Sequence, residues 1–320
     1  MAILLTGGLG YIGSHIASLL GKKAVIIDNQ SNSRLNYRKK LPLSRVYTLD
    51  LNLKNLKNIL SKHDIRGVIH LAGLKAVNES TLLPLKYYRN NIISSLELLE
   101  CMDLFKINKL IFSSSATVYG NSHQSPLKED YYLDSTNPYA STKIIIEQMI
   151  KDYASKNSKF GAISLRYFNP IGANLKKNLY DQPTNEPQNI MPILLKSLKN
   201  KKIFKIYGND YETKDGTCIR DYIHIDDLAQ AHKLAFQKLR KFRGYDVINL
   251  GLGRGISVLE FIKIFEKVNN IKIPYRITKR RPGDVAISFA DNTKAKNLLN
   301  WEPVKSYSDM MFDSWKSIIS

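Results

Sequence analysis

Cysteine, tryptophan and long apolar runs are scarce in this sequence of 320 residues, which contains two cysteines and two tryptophans. Cys101 and Cys218 show no metal-ligand spacing and are too few for a disulfide framework, so we expect neither a bound metal nor structural disulfides. The apolar runs are too short to cross a bilayer, and no signal-peptide pattern precedes the first of them. These absences predict a cytoplasmic protein with no membrane partner.

Acidic residues are also in deficit, because 28 of them are set against 48 lysines and arginines, for a net charge of +20. Such an excess can indicate a surface that binds nucleic acid or membrane. The lysine pairs are scattered along the chain, however, at 22–23, 39–40, 176–177 and 201–202. We therefore expect no nucleic-acid partner, and we interpret the charge as a general lysine enrichment with a weak attraction for an anionic small substrate.

A glycine-rich turn follows the short apolar run at residues 1–5 and leads into an apolar helical stretch. Its spacing, Gly8-x-Gly10-x-x-Gly13 with Gly7 before it, is typical of dinucleotide-binding turns. Glycines let the chain turn tightly from strand to helix and bring backbone N–H groups close to a pyrophosphate. The positive end of the helix attracts the same phosphates. The turn therefore predicts a bound dinucleotide.

Asp28 ends a second predicted strand, at residues 24–27, roughly 20 residues after the turn. A carboxylate at this place accepts hydrogen bonds from the adenosine ribose and repels a 2′-phosphate, which favours NAD over NADP. Arg34 lies close enough in sequence to leave NADP open as an alternative. NAD is the expected cofactor.

Short apolar runs alternate with helical stretches along the first half of the chain. Further strands are predicted at 46–49, 67–70, 109–112 and 162–165, and helices at about 53–63, 84–106 and 139–157. This alternation predicts an α/β fold with a Rossmann-like doubly wound parallel sheet. Residues 1–170 would form the NAD-binding domain, with 220–250 returning to it through strands at 220–225 and 247–250. A smaller α/β substrate lobe would comprise 171–219 and 251–320.

Tyr139 and Lys143 lie four residues apart in a predicted helix and therefore share one face of it. A phenol normally titrates near pH ~10 and is a poor base at neutral pH. A neighbouring ammonium group favours the phenolate, so we expect Lys143 to lower the pKa of Tyr139 towards neutrality. The pair predicts acid/base catalysis, although this spacing alone is common in exposed helices.

A serine cluster ends the strand predicted before this helix, in the segment SSSATVYG at residues 113–120. Polar side chains at the carboxyl end of a parallel strand lie where ligands of doubly wound sheets bind. A hydroxyl there can bond to a substrate hydroxyl and share its proton with a phenolate. We choose Ser115 as this group, with Thr117 as its neighbour; a polar turn without a catalytic role is the alternative.

With these motifs the chain resembles the extended short-chain dehydrogenases/reductases, and among them the UDP-hexose 4-epimerases, almost from end to end. The glycine turn and the Tyr139/Lys143 pair belong to the whole superfamily. Further matches are the segments HLAGLKAVNES at 70–80, SSSATVYG at 113–120, RYFNP at 166–170, YGNDY at 207–211 and RDYIH at 220–224. Of these, SSSATVYG and the AGLKAV part of the first segment are much narrower and resemble the 4-epimerases. The resemblance implies NAD-dependent inversion at C4 of a UDP-hexose, through transient oxidation to a 4-keto sugar.

The resemblance also implies a set of contact residues. Those implied for NAD are Gly7, Gly10, Tyr11, Ile12, Gly13, Asp28, Asn29, Asn32, Ser33, Asp50, Leu51, Leu71, Ala72, Gly73, Lys75, Asn90, Ser113, Tyr139, Lys143 and Tyr167. Those implied for the UDP-sugar are Lys75, Ser115, Thr117, Tyr139, Asn169, Asn189, Tyr207, Arg220, Arg281, Asp284 and Ser288. Two arginines suit a diphosphate, because guanidinium groups pair with phosphate oxygens through two hydrogen bonds.

The closest alternatives are nucleotide-sugar dehydratases and decarboxylases of the same fold. Dehydratases of this kind carry two carboxylates at the end of the serine-bearing strand, and decarboxylases carry one, whereas this chain has Ala116 and Thr117. A net reductase would release its reduced cofactor. A non-enzymatic NAD-responsive regulator or nucleic-acid binder is a further alternative, disfavoured by the joint presence of Ser115, Tyr139 and Lys143.

Two finer properties follow from the resemblance. Ser288 matches a position where a bulky tyrosine accompanies strict specificity for glucose and galactose, so its small side chain implies activity on UDP-GlcNAc/UDP-GalNAc as well as UDP-Glc/UDP-Gal. A strict UDP-Glc/UDP-Gal epimerase is the alternative. A homodimer through the helices at 84–106 and 139–157 is also implied.

Overall fold

The computed structural model describes residues 2–32, 39–41, 43–184, 186–281 and 283–319. Its main element is a parallel sheet of seven strands, whose spatial order by sequence position is the thirteenth, sixth, fifth, fourth, first, second and third strand. In that order the strands are β13 (Gly244–Leu250), β6 (Gly161–Tyr167), β5 (Lys109–Ser115), β4 (Ile65–His70), β1 (Ala2–Thr6), β2 (Ala24–Ile27) and β3 (Arg45–Tyr47). The predicted doubly wound parallel sheet is confirmed. Its strand order reverses between β1 and β4, where such sheets bind dinucleotides.

Helices cover both faces of this sheet because its central strands are buried apolar runs on both sides. In chain order the helices of the molecule include α1 (Tyr11–Leu20), α2 (Leu53–Lys62), α3 (Val77–Leu82), α4 (Pro84–Tyr88), α5 (Ser94–Leu104), α6 (Pro138–Lys156), α7 (Ile190–Lys199), α8 (Ile225–Lys238), α9 (Val258–Asn269), α10 (Thr293–Leu299) and α11 (Tyr307–Ile319). Of these, α7, α9 and α11 lie outside the two sheet faces and surround a separate core.

The predicted helix at 84–106 is interrupted. The structure has α4, a π-helical turn at Arg89–Ile93 and then α5. A π turn adds one residue to the helical ladder and rotates the side chains that follow it. The helices predicted at 53–63 and 139–157 are found as α2 and α6, within one or two residues at each end.

Short strands build the smaller lobe: β7 (Asn169–Ile171), β8 (Ala173–Asn174), β9 (Leu179–Tyr180), β10 (Phe204–Tyr207), β11 (Ile219–Arg220), β12 (Tyr222–His224), β14 (Ile256–Ser257), β15 (Tyr275–Thr278) and β16 (Ile287–Ser288). The expected return of 220–225 to the main sheet is wrong. β13 pairs with β6 along its length and fills that edge of the sheet. Strand β11 therefore pairs with β14 and β16, and β12 pairs with β7.

Candidate active site

In the glycine turn between β1 and α1, Gly7 and Gly13 leave no room for larger residues. An added Cβ on Gly13 would lie 2.3 Å from the carbonyl oxygen of Gly7, and Gly7 itself has a φ of +68°. Gly10 differs, because a Cβ there would meet only that same oxygen, at 3.4 Å, and would project into a neighbouring cavity. The backbone of the turn is thus open to a ligand at Gly10, which fits a pyrophosphate.

Asp28, at the end of β2, forms one wall of this cavity. Its carboxylate accepts hydrogen bonds from the backbone N–H of Leu9 at 2.9 Å and of Gln30 at 2.7 Å. These bonds fix the carboxylate against the glycine turn. The acidic group lies where an adenosine ribose is bound in dinucleotide turns of this kind.

The cavity has a volume of about 620 Å³. All predicted cofactor residues within the described part of the chain line it, apart from Ser113; they are Gly7, Gly10, Tyr11, Ile12, Gly13, Asp28, Asn29, Asn32, Asp50, Leu51, Leu71, Ala72, Gly73, Lys75, Asn90, Tyr139, Lys143 and Tyr167. Ser113 is buried and does not line it; its hydroxyl lies 3.1 Å from Nε2 of the buried His232. Ser33 and Arg34 lie outside the described residues.

Asn91, which the sequence reasoning missed, holds the loop at 71–75 over this cavity. Its Oδ1 accepts from the N–H of Leu74 at 2.8 Å, and its Nδ2 donates to the carbonyl of Leu74 and to Oγ1 of Thr142 on α6. Asn91 lies in the π turn, which directs it inward beside Gly73. The Asn90–Asn91 pair was the only signal in the sequence.

Tyr139 lies at the start of α6, with 7% of its surface exposed. The Asn137 side chain caps this helix by accepting from the N–H of Ala140, and Pro138 fits its first turn. Burial raises the pKa of the Tyr139 phenol to about 12, although a hydrogen bond with Ser115 lowers it. Ser115 in turn accepts from Oγ1 of Thr117 at 3.0 Å. The structure thus brings the predicted serine and tyrosine together.

Lys143 lies one turn further along α6 and is buried. Its Nζ donates to the carbonyl oxygen of Ser113 at 2.8 Å and lies 5.8 Å from the centre of the Tyr139 ring. Burial lowers the pKa of Lys143 to about 8, while the nearby Glu147 raises it. We expected Lys143 to bring the pKa of the phenol towards neutrality. In this structure burial of Tyr139 has the larger effect on that pKa and raises it.

A second cavity of about 990 Å³ adjoins the first, and both are lined by Lys75, Asn90 and Tyr167. Most predicted substrate residues line it: Lys75, Ser115, Thr117, Asn169, Asn189, Arg220, Arg281, Asp284 and Ser288. Tyr139 faces the first cavity. Tyr207 lines neither cavity, but Arg281 stacks on it, with Cζ of the guanidinium 4.8 Å from the centre of the Tyr207 ring. The two cavities form one continuous cleft with Tyr139 and Ser115 at their junction.

Two arginines converge on one carboxylate in the second cavity. Nε of Arg281 lies 3.0 Å from Asp284, and Nη2 of Arg220 lies 3.8 Å from it. Two guanidinium groups beside one carboxylate leave an excess positive charge. This excess suits a diphosphate, whose oxygens accept paired hydrogen bonds from arginine.

Asp221 is a second residue that the sequence reasoning missed. Its buried carboxylate accepts from the backbone N–H groups of Leu252 at 2.8 Å, Gly253 at 3.1 Å and Ala290 at 3.1 Å. Its own carbonyl accepts from Nδ2 of Asn169. Burial raises the pKa of this carboxyl to about 7, even though the backbone bonds lower it. Asp221 therefore ties together the wall that carries Arg220 and Ser288.

No helix in the described ranges has both the length and the apolar character needed to cross a membrane. The same residues contain no group of three or more His, Cys, Asp or Glu side chains arranged to hold a metal ion.

Comparison with known proteins identifies the family. Residues 3–251 match the NAD dependent epimerase/dehydratase family. The chain is 44% identical over 326 residues to a UDP-glucose 4-epimerase of Bacillus subtilis, with 99% of this chain and 96% of the relative covered. It is 45% identical to one of Dictyostelium discoideum, with 98% and 94% covered.

Solved structures agree with this match. The fold superposes with a TM-score of 0.94 on the UDP-glucose 4-epimerase of Bifidobacterium longum in complex with NAD+ and UDP, at 38% identity and covering 100% of this chain and 99% of that one. For the enzyme of Stenotrophomonas maltophila with bound NAD, the TM-score is 0.95 at 38% identity, with 99% and 97% covered. The resemblance read from the motifs is confirmed, and the chain belongs to the NAD dependent epimerase/dehydratase family.

Proposed function

We propose that this protein is a UDP-hexose 4-epimerase that uses NAD to invert the configuration at C4 of the sugar. The observation that carries the proposal is the position of Tyr139 and Ser115. They lie where a dinucleotide-type cavity meets a second cavity with two arginines. The residues of the first cavity would hold NAD, with the glycine turn on the pyrophosphate and Asp28 on the adenosine ribose.

Bound NAD supplies a hydride acceptor, a hydride donor and a positively charged ring that favours the phenolate of Tyr139. Tyr139 removes the proton from the 4-hydroxyl, directly or through the hydrogen-bonded Ser115. The sugar becomes a 4-keto sugar, which turns and is reduced on its other face. Tyr139 then returns the proton. Arg220 and Arg281 hold the diphosphate throughout, so the keto sugar stays in the cleft.

The test is to incubate the purified protein with UDP-galactose without added NAD and to identify the products. We expect UDP-glucose to form, because the cofactor is regenerated in each cycle and stays bound. Denatured protein should release NAD into solution. The proposal fails if the protein carries no cofactor and gains no epimerase activity when NAD is added.

We also propose that the enzyme accepts the 2-acetamido sugars UDP-GlcNAc and UDP-GalNAc. Ser288 in β16 lines the second cavity, where its small side chain leaves space beside the sugar. A solved UDP-Glc/GlcNAc 4-epimerase from Campylobacter jejuni superposes with a TM-score of 0.85 at 32% identity.

Ser288→Tyr is expected to lower kcat/KM for UDP-GalNAc by about tenfold or more, because the ring fills the space for the acetamido group, while activity on UDP-galactose is largely kept. Initial rates with both substrates measure this. Ser288→Ala is the matched control, and both activities should survive in it. A wild-type enzyme that converts UDP-galactose but ignores UDP-GalNAc would contradict the pocket argument.

We further propose a homodimer through the helices predicted at 84–106 and 139–157, which in the structure are α4, the π turn and α5, and α6. Large apolar side chains are exposed on or beside them: Leu82, Leu85, Ile93, Leu96 and Ile145, with Leu85 81% exposed. Light scattering is expected to give twice the chain mass. Leu85→Glu places a charge on this surface and should shift the mass towards the monomer, whereas Val304→Glu, at another exposed apolar position, should not. A monomeric wild-type protein would refute the dimer.

The division into an NAD-binding domain at 1–170 with 220–250, and a lobe at 171–219 with 251–320, remains part of the proposal, except that the strands at 219–224 pair within the lobe. The separate core of the lobe supports it.

We also propose a cytoplasmic location, since Cys101 and Cys218 are both unpaired thiols, as is usual in a reducing compartment.

A further inference from the structure

Glu147 lies one turn beyond Lys143 on α6 and is almost completely buried. Its carboxylate forms a two-point ion pair with Arg166 of β6, with Nη2–Oε2 at 2.6 Å and Nε–Oε1 at 3.0 Å. Both side chains are only 4% exposed. The hydroxyl of Ser114 donates to Oε1 of the same carboxylate at 2.5 Å. Removing two charges from water costs free energy that the ion pair and its hydrogen bonds must offset, so the position of this pair on the helix that carries Tyr139 and Lys143 points to a role beyond stability.

The contacts of Glu147 and Lys143 tie the end of β5 to α6. Lys143 donates to the carbonyl of Ser113, and Glu147 accepts from the side chain of Ser114. These are consecutive residues, and the next one in the strand is Ser115. The distance between Ser115 and Tyr139 is thus set by two adjacent links between the same strand and the same helix.

We propose that Glu147 is a positioning residue for catalysis, which fixes Ser115 against Tyr139 and keeps the Lys143 ammonium charged inside the protein. Arg166 balances the buried carboxylate, so that the pair can remain ionised without solvent. This inference rests on the proposed function, because the charge of Lys143 matters only if Tyr139 is the acid/base group.

Among the groups around Lys143, Glu147 is the main source of negative charge. On the other side of Lys143 lies His70 of β4, whose pKa is lowered to about 3 by burial, so this ring is neutral. The titratable groups that interact with Lys143, Glu147 or Arg166 are Tyr139 on α6, His70 on β4, Tyr119 and Glu129 after β5, and Tyr245 on β13. Lys151 and Asp246 line the same cavity as Glu147 and Arg166.

The negative charge of Glu147 determines the direction in which it shifts the pKa of Lys143. Lys143 loses its proton as the pH rises, and Glu147 opposes that loss. In Glu147→Gln the ammonium is therefore lost at lower pH, and the alkaline limb of the kcat–pH profile should move down by about one pH unit. At pH values above the alkaline limbs of both the wild-type and the variant profile, kcat of the variant should be roughly tenfold lower than that of wild type, and the difference should be smaller near pH 6.

The experiment compares three variants of the full enzyme by pH profile and thermal unfolding. Ser114→Ala removes the hydrogen bond but keeps the charge, so its alkaline limb should stay at the wild-type position. Glu147→Gln leaves Arg166 unpaired and is expected to lose stability. The double variant Glu147→Gln/Arg166→Met removes both charges, should regain stability, and should show a limb between wild type and Glu147→Gln.

The proposal is overturned if Glu147→Gln has a lower unfolding midpoint but an unmoved alkaline limb, because Glu147 would then belong to a purely structural ion pair. If the single variant does not fold, the same result in the double variant overturns it. The wild-type profile separates this failure from that of the proposed function. A wild-type enzyme without epimerase activity refutes both, whereas an active wild type with unmoved variants refutes only the role of Glu147.

Discussion

Replacing Tyr139 with phenylalanine is expected to lower kcat by on the order of 10²-fold or more, the usual scale for the loss of an acid/base group. The ring keeps its volume, and the lost hydroxyl interacts with Ser115. Binding of NAD and of the UDP-sugar should therefore stay close to normal. Steady-state rates with UDP-galactose give kcat, and NAD released on denaturation gives the cofactor content per chain.

Tyr153→Phe is the matched control on the same helix. The hydroxyl of Tyr153 donates to Asp103 at 2.9 Å, on the surface and away from both cavities. Its loss should leave kcat unchanged. Near-normal turnover in Tyr139→Phe would remove Tyr139 from the mechanism. A fall in cofactor content to match the fall in kcat would show instead that the hydroxyl serves binding.

The acid/base pair illustrates what the sequence could and could not predict. The spacing of Tyr139 and Lys143 correctly predicted a shared helix face, because residue spacing alone determines it. The effect on the phenol depends on burial and on where the ammonium points. In the folded chain Lys143 donates to the carbonyl of Ser113, and burial raises the pKa of Tyr139 to about 12. In the folded chain burial therefore outweighs the effect that was expected from Lys143, and residue spacing carries no information about burial.

The main sheet was predictable for a similar local reason. Buried parallel strands appear in the sequence as apolar runs, which are continuous in β1 and β2 and shorter or interrupted by polar residues in β5 and β6. The run at 220–225, in which Tyr222, Ile223 and Ile225 are apolar, was also predicted to join the sheet, yet its strands pair within the smaller lobe. Strand length and apolar character do not reveal which edge of the sheet is already filled by β13.

Polar residues with distant partners were the least predictable part of the site. Asn91, Glu147 and Asp221 each bond to segments that are remote in sequence, and none belongs to a spacing motif that fixes its direction. Asp221 even lies beside the predicted Arg220. Arg220 is the last residue of β11 and Asp221 follows it in extended chain, where successive side chains point to opposite sides, so one lines the cavity while the other holds the wall behind it.

The glycine turn gives the second large expected effect. In Gly13→Ala the added Cβ would lie 2.3 Å from the Gly7 oxygen and 2.7 Å from Cα of Gly8, and backbone atoms at these distances cannot be accommodated by a side-chain rotation. Helix α1 must then move away from β1. We expect a loss of about 1–3 kcal/mol in the free energy of unfolding, the usual range for overpacking, together with an at least tenfold loss of NAD affinity.

Gly10→Ala separates the two parts of that effect. Its φ of −70° suits alanine, and its Cβ would meet only one atom, at 3.4 Å, before entering the cavity. The cofactor-free variant should therefore unfold at the same temperature as cofactor-free wild type. Its NAD affinity should still fall, because the methyl group occupies space that the pyrophosphate needs. Calorimetric titration with NAD and thermal unfolding measure both quantities. Undiminished NAD affinity in both variants would place the dinucleotide elsewhere, since a ligand on this turn cannot tolerate both methyl groups.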